Sequence, residues 1–302
     1  APNVIELFGP TTLASGILTD PARGGQQVNP AITSGSNPNL QPERADTFTA
    51  GIVFKPSGGF LGRFRASIDY YEIKVRNAIS TLGQQNIATR CFEGELRSCD
   101  LITRGPDGSI TQVRDVLQNV NELINRGIDA ELEYRQPLGT LGDVNFRLLA
   151  TYVKDFITVD AVGPIQRAGQ TGLRGGTPPG LPDLTLDGLV SWTKDDFTLN
   201  FHGRYINSGF YNAAFIGPDQ AGYNIAAVNS SNTNKVPARA YLDVLAQYRI
   251  RHGDRHELTA FFGVDNLTNT MPPLNPGAHG TGNTILFSPF GQTFKVGMRL
   301  TY

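Results

Sequence analysis

Large apolar residues alternate with small or charged ones over much of this sequence, and no other feature constrains the fold as strongly. The last ten residues, TFKVGMRLTY (293–302), place apolar side chains on one face and the cations Lys295 and Arg299 on the other. A period of two is that of a β-strand whose two faces meet different surroundings. The apolar positions of this stretch are Phe294, Val296, Met298, Leu300 and Tyr302.

Further stretches of the chain show the same alternation. With the terminal stretch they predict about nine strands, each of roughly 8 to 12 residues. The chain is therefore predicted to be an all-β protein, built as an antiparallel meander. The other stretches lie at 47–54, 64–71, 123–135, 144–152, 184–192, 197–205, 240–250 and 258–264.

The connections between the predicted strands alternate in length. Short polar segments such as KPSGG (55–59) and TKDD (193–196) join the strands in pairs. Segments of roughly 20 to 40 residues, rich in Gly, Pro and Asn, join one pair to the next and are much longer than ordinary connections. Because neighbouring strands run antiparallel, all the long loops leave one end of the sheet and all the tight turns leave the other.

The composition excludes several other classes of protein. The formal net charge is −1, so no nucleic-acid-binding surface is indicated. No run approaches the ~20 apolar residues that a membrane-spanning helix needs. Residues 1–10 lack the charged and apolar regions of a signal peptide.

The chemistry of the two predicted faces favours a transmembrane β-barrel. Consecutive positions of the polar face carry charges, as at Asp129, Glu131 and Glu133, and a packed core rarely tolerates them. Aromatic residues flank the apolar face, as in the girdles of outer-membrane barrels. Single-chain bacterial barrels have an even number of strands, so a count of nine predicts further strands upstream. A secreted soluble β-sandwich used for adhesion is the alternative.

Few residues suggest covalent or metal chemistry. Cys91 and Cys99 predict a disulfide that closes a small loop, with two free thiols as the alternative. We expect no catalytic residue, no metal site and no cofactor, because the zinc-ligand spacings and the common catalytic motifs are missing. The acidic row at Asp129, Glu131 and Glu133 is expected to pair with Arg and Lys on neighbouring strands rather than to hold a cation.

Six segments, in order along the chain, resemble those of the TonB-dependent outer-membrane receptors. APNVIELFGP resembles a stretch near the middle of the family's barrel, and GQTFKVGMRLTY resembles its closing strand. The resemblance covers essentially the whole chain. The six segments are 1–10, 37–52, 65–80, 125–139, 261–273 and 291–302.

The resemblance implies a larger architecture than this chain contains. Receptors of this family have a barrel of about 22 strands with a plug inside it. We therefore expect residues 1–302 to be the C-terminal part of such a barrel, with 1–42 as a lead-in resembling an extracellular loop. The plug and the N-terminal strands would lie outside this sequence. So would the peptide that contacts the TonB complex of the inner membrane.

The resemblance also implies a location and a function. The chain would lie in the outer membrane of a Gram-negative bacterium, among its lipids, and would import a scarce nutrient such as a ferric siderophore, cobalamin or a glycan fragment. The terminal apolar positions, Phe294 to Tyr302, would be recognised by the barrel-assembly machinery. A small outer-membrane barrel enzyme, a protease or acyl hydrolase, is the alternative. Ligand contacts are expected in the long loops, with Arg174, Tyr211, Phe215 and Tyr223 as candidates.

Overall fold

The computed structural model describes residues 1–160, 163–172, 181–213, 215–225, 230–252, 256–273 and 283–301. The chain divides into two compact units. The first comprises Ala1–Thr47, Ile73–Ile124 and Ile157–Ile165. The second comprises Phe48–Glu72, Asn125–Phe156 and Gln166–Tyr302. Among the described residues, each helix is too short or too polar to cross a membrane.

The described chain is mostly strand. Short 3₁₀ turns lie at Pro21–Arg23, Leu61–Arg63 and Gly139–Leu141. In chain order the helices and strands are α1 (Val4–Phe8), β1 (Thr12–Ser15), β2 (Leu18–Asp20), β3 (Gln26–Val28), β4 (Ala31–Gly35), β5 (Arg44–Phe54), β6 (Phe64–Ser80), α2 (Gln84–Phe92), α3 (Leu96–Cys99), β7 (Ile102–Arg104), β8 (Ile110–Val116), β9 (Gln118–Pro137), β10 (Asp143–Asp160), β11 (Gly163–Gln166), β12 (Leu184–Lys194), β13 (Phe197–Ile206), β14 (Gly209–Phe210), β15 (Lys235–Val236), β16 (Arg239–His252), β17 (His256–Asp265) and β18 (Thr293–Thr301).

One large meander contains every strand that the alternation predicts. Its order is β18-β17-β16-β13-β12-β10-β9-β6-β5, and β11 adds to β10. The pairs from β10 to β18 are antiparallel with continuous registers. The lengths of the connections in the sequence also alternate as expected: the short segment 195–196 joins β12 to β13, whereas the long segment 207–238 separates β13 from β16. The predicted meander is confirmed.

The two faces of this sheet differ sharply. One row of paired residues crosses five strands on the apolar face: Trp192, Leu199, Ala246, Phe262 and Val296. Phe262 and Val296 of this row are exposed, and Val296 retains 85% of its accessible surface, whereas Trp192 and Leu199 are half-buried. A soluble sandwich buries such a face against a second sheet. An apolar face left open is typical of a barrel whose outer surface meets lipid.

Aromatic residues collect on the second unit at the end of the sheet with the short turns. Phe60, Phe64 and Tyr134 form one cluster, in which the rings of Phe64 and Tyr134 have centroids 4.5 Å apart. Trp192 and Phe197 form another, and the Trp192 indole donates a hydrogen bond to the Leu141 carbonyl at 2.9 Å. Tyr134 and Trp192 have rings with an apolar body and a polar edge, which suits a membrane interface, so these clusters agree with the predicted aromatic girdle.

Strands β6, β9 and β10 are longer than the sequence pattern predicts. The expected strands end where the apolar alternation ends, but the observed strands continue into charged residues. In the first unit, Lys74 and Glu122 form an ion pair at 2.7 Å, and Arg76 and Asp46 form one at 3.0 Å. Hydrogen bonds and side-chain pairs across strands stabilise a strand that has no apolar face. The alternation of apolar residues therefore does not predict these extensions.

The first unit also contains a small mixed sheet. Its order is β1-β4-β8-β7, and β4 pairs with β8 in parallel. The segment 1–42, expected to resemble a loop, therefore folds together with residues from the long connection 81–117. The expectation of an extracellular position remains a prediction. The core of this sheet and of α2 consists of Leu18, Ile32, Leu82, Ile87, Ala88, Ile110 and Val113.

Candidate functional site

The polar face of the meander in the second unit is the principal candidate site. The predicted acidic row lies on β9, and β10 supplies most of its partners. Arg147 Nε donates to Glu131 at 2.7 Å, and the Thr151 hydroxyl donates to Asp129 at 2.8 Å. Glu133 lies 3.7 Å from Arg65 on β6. The expected pairing with neighbouring strands is confirmed for Glu131 and Glu133, whereas Asp129 is satisfied by a neutral hydroxyl.

A histidine connects three strands further along this face. The Nε2 atom of His202 on β13 lies 2.9 Å from Asp187 on β12. Its Nδ1 atom lies 3.3 Å from Asp243 on β16. Asp243 also accepts a 2.7 Å hydrogen bond from the backbone of Asn266, where the long connection after β17 begins. The role of His202 could not be predicted from the sequence, because its partners become neighbours only through the strand register.

The same face has an apolar floor that the alternation did not predict. Leu189, Leu245 and Phe261 line a groove of about 570 Å³ that also contains His202 and Asp243. We call it the central groove. Phe261 lies against Gly297 of β18 so closely that a side chain at Gly297 would collide with its ring. The signal in the sequence was the pair of adjacent phenylalanines, Phe261 and Phe262, of which only one can belong to the apolar face.

A second groove lies towards the end of the sheet with the short turns. It has a volume of about 740 Å³. We call it the basic groove. It lies beside the central groove, because Leu189 lines both. Its charged lining residues are Arg63, Arg65, Glu133, Arg135, Asp143 and Arg147.

The described loop segments of the second unit are joined to one another. Phe210 donates its backbone N–H to Gly169 at 3.0 Å, and Ala213 donates to the side chain of Gln170 at 2.9 Å. The Asn283 amide donates to the Thr171 carbonyl at 3.0 Å. Segments from the connections after β10, β13 and β17 thus form one hydrogen-bonded layer. Contacts this distant in sequence leave no local pattern, so they could not be predicted from the sequence.

The predicted ligand contacts in the loops have different surroundings. Tyr211 packs against the hydrophobic cluster that contains Tyr241 and Phe287, and burial raises the pKa of its phenol. Phe215 and Tyr223 are half-buried. Arg174 lies outside the described residues. Since Tyr211 takes part in packing, its side chain has less surface for a ligand than expected, and ligand binding by these residues stays a prediction.

Two other predicted features are present in the structure. Cys91 and Cys99 form a disulfide, with their Cα atoms 4.6 Å apart, between the end of α2 and α3. Phe294, Val296, Met298 and Leu300 are exposed along β18, and Tyr302 lies outside the described residues. A role for this strand in barrel assembly stays a prediction.

Comparison with known proteins identifies the same architecture. A family model described as "TonB dependent receptor-like, beta-barrel" matches residues 1–267. A search among curated proteins finds no match.

Among solved structures, the siderophore receptor PirA from Acinetobacter baumannii is 14% identical with a TM-score of 0.61. The match covers 100% of this chain and 37% of that one. A double mutant of the ferric enterobactin receptor PfeA from Pseudomonas aeruginosa is 16% identical with a TM-score of 0.60, over 100% and 36%. The outer membrane transporter YddB from Escherichia coli is 11% identical with a TM-score of 0.56, over 89% and 34%. This chain thus spans about a third of the length of these proteins.

Proposed function

This chain belongs to the TonB-dependent receptor family, and from that premise we propose that it forms the C-terminal part of the barrel of a nutrient importer. Its place is the outer membrane of a Gram-negative bacterium. The whole protein would add the N-terminal strands, a plug domain and the peptide that engages the TonB complex. The length of the related solved structures supports this, since this chain matches about a third of each.

The observation that carries the proposal is the opposition between the two faces of the meander. Val296, Met298 and Phe294 leave a large apolar surface exposed on one face. On the other face, Arg147 and Glu131, and His202 and Asp187, satisfy one another across strands. A barrel wall between lipid and a watery interior needs this arrangement. It also argues against the alternative of a soluble sandwich.

Import by such a receptor requires no covalent step. The ligand would be captured by the long loops, and energy from the TonB complex would rearrange the plug so that the ligand passes along the polar face. The hydrogen-bonded loop layer around Gln170 and Asn283 would hold the capture surface in position. For the other alternative, a barrel enzyme, the described residues offer no supporting observation.

The proposed cargo is a ferric siderophore. Two of the solved structures with the same fold carry the names of a siderophore receptor and a ferric enterobactin receptor. Cobalamin and glycan fragments, which the family resemblance also allows, become outcomes of the test.

The test is nutrient uptake by cells that produce the whole protein as their sole receptor of this family. We expect uptake of radioactive iron from one ferric siderophore, abolished when the TonB protein is inactivated. Uptake of labelled cobalamin or of a glycan instead would correct the cargo and keep the function. Uptake that is indifferent to the TonB protein, or the absence of uptake for all three classes, would refute an active importer.

A further inference from the structure

The first unit leaves one short segment without an apolar cover. Five large apolar side chains between residues 4 and 17 each retain at least 69% of their accessible surface, although the same unit buries a core around Ile87 and Val113. We call residues 4–17 the N-terminal flank. Single exposed apolar residues are common, but several in one place mark an interaction surface. The five residues are Val4, Ile5, Phe8, Leu13 and Ile17.

The backbone of this flank is held in place by hydrogen bonds. Asn3 and Glu6 form a capping box at the start of α1, in which each backbone N–H donates to the other side chain at 2.8 Å. The Asn37 N–H donates to the Glu6 carbonyl at 2.9 Å, and the Ser36 hydroxyl donates to the Gly9 carbonyl at 2.7 Å. A partner that packs on α1 would therefore not have to order this segment first.

The flank also contains an open sheet edge. Within the described residues β1 pairs only with β4, in an antiparallel register that places Thr12 opposite Ser34 and Ser15 opposite Ala31. The other side of β1 presents N–H and C=O groups without a strand partner. Proteins commonly protect such an edge with charged residues or proline, but β1 has the sequence TLAS and contains neither. An edge of this kind can accept a further strand.

Leu13 faces away from the core of its own sheet. Its neighbour Ala14 pairs with Ile32, which is buried in the core, and Leu13 pairs with Thr33. Because successive residues of a strand point to opposite faces, Leu13 lies on the face opposite the core. Only a segment from outside the unit can cover this side chain.

We propose that the N-terminal flank is an interface with a part of the same protein that lies outside this chain, a long loop between two of the upstream barrel strands. This chain spans about a third of the related solved structures, so most of the whole protein is available as a partner. A segment of the same polypeptide acts at a high effective concentration, on the order of millimolar for a flexible tether. It therefore covers the flank in preference to a separate molecule.

The order of the meander indicates which part of the whole protein reaches the flank. Residues 81–117, which contribute α2 and β8 to the first unit, form one of the long connections. In an antiparallel meander all the long connections leave the same end of the sheet, so the long loops of upstream strands leave that end as well. This step rests on the proposed function, because it assumes one continuous barrel wall.

The chemistry of the flank favours a polypeptide over lipid. Acyl chains cover apolar side chains, but they cannot bind the free N–H and C=O groups of β1. A loop in extended conformation meets both requirements, since its main chain pairs with β1 while its side chains pack against Ile5 and Leu13. A second copy of the protein meets them too, and the test below distinguishes it.

Site-specific photo-cross-linking of the whole protein in outer-membrane vesicles tests the inference. The photoreactive residue p-benzoylphenylalanine replaces Ile5 or Leu13 in turn, and mass spectrometry maps the products. We expect cross-links within one polypeptide, from both positions to the same upstream loop. The same replacement at Phe92 is the matched control, since Phe92 is an exposed apolar residue of the first unit outside the flank, and it should not cross-link to that loop.

Hydrogen exchange of the whole protein measures the strength of the contact. In the double variant Ile5→Ser/Leu13→Ser, the amides of the cross-linked loop should exchange about tenfold faster or more, because the burial of two large apolar side chains is lost. Phe92→Ser should leave this exchange unchanged. Since Ile5 and Leu13 are exposed within the first unit, the double variant should retain the slow exchange of β4 and β8.

Cross-links to the plug, to a second copy of the protein or to lipid alone would overturn the inference. Equal cross-linking of the loop from Phe92 and from the flank would overturn it as well, and so would unchanged exchange in the double variant. If uptake still depends on the TonB protein in any of these cases, the inference fails and the proposed function stands.

Discussion

Arginine in place of Ala246 is expected to lower the free energy of unfolding of the membrane-inserted protein by about 2–4 kcal/mol. Ala246 lies midway along β16, in the apolar row between Leu199 and Phe262. An arginine on the lipid face near the centre of a bilayer costs about 2–4 kcal/mol. The measurement is the free energy of unfolding of the whole protein in phospholipid vesicles, obtained from urea titration and from the heat-dependent shift in gel mobility.

The adjacent residue supplies the control. Gln247 lies on the polar face, where its side-chain oxygen is 3.5 Å from the Asn200 amide. Gln247→Arg introduces the same charged side chain one position along the strand, and should change the free energy of unfolding by less than about 1 kcal/mol. Equal losses in the two variants would mean that the faces are not distinguished by lipid.

The second large effect is expected from Arg104→Met in the first unit. Arg104 donates to both carboxylate oxygens of Asp20, at 2.6 and 3.1 Å, and Asp20 is fully buried. Removing one partner of a buried ion pair leaves an uncompensated charge, which costs about 3–5 kcal/mol. We expect faster hydrogen exchange at the amides of β2 and β7, measured by mass spectrometry on the whole protein.

The dependence of this effect on pH follows from the carboxyl group. The hydrogen bond from Arg104 lowers the pKa of Asp20 below its ordinary value of 3.8. The stabilisation is therefore complete above that value and is lost as the pH falls through the lowered pKa. In Arg104→Met the buried carboxyl gains stability when it binds a proton. The difference between the two proteins should shrink towards acid pH, and a difference that grows there would contradict the assignment.

Two further variants distinguish the effect of losing the buried ion pair from the effect of losing an ordinary surface charge. Arg23→Met makes the same change in an exposed pair, where Arg23 lies 3.3 Å from Asp107, and should cost less than about 1 kcal/mol. Asp20→Asn combined with Arg104→Met removes the buried charge as well. That combination should restore part of the lost protection, whereas further loss would assign the effect to packing around Arg104.

Much of the fold could be predicted from the sequence because its main determinant is local. The alternation of apolar and polar residues along a strand indicates which face meets lipid, and it is visible within segments such as 293–302. Turn and loop lengths then fix the order of the meander. The disulfide between Cys91 and Cys99 could be predicted for the same reason, since the two cysteines are close in the chain.

Features that depend on distant contacts could not be predicted in this way. The small sheet of the first unit joins β4 to β8 across the whole of β5 and β6. The polar ends of β6 and β9 are held by ion pairs such as that between Lys74 and Glu122. No local period signals either arrangement, so the predicted strands ended early, and 1–42 was predicted only as a lead-in resembling an extracellular loop.

The same distinction between local and distant determinants applies to the candidate site. The acidic row on β9 and the arginines that pair with Glu131 and Glu133 were expected, because opposite charges on neighbouring strands stabilise one another. The apolar floor around Phe261 was not predicted, since one apolar residue on the polar face of each of three strands does not disturb the overall alternation. His202 and its two aspartates come together only through the registers of three strands. Loop candidates such as Tyr211 were chosen by residue type, which says nothing about packing.

The central claim is that the two faces of the meander meet lipid and water respectively. A nitroxide scan along β16 of the membrane-inserted whole protein tests it most directly, with one spin label at each position from 240 to 250. We predict high collision rates with oxygen at the even positions, including Val244 and Ala246, and low rates at the odd positions, including Asp243 and Gln247, with a period of two. Uniform rates along the strand, or an inverted pattern with the odd positions in lipid, would contradict it.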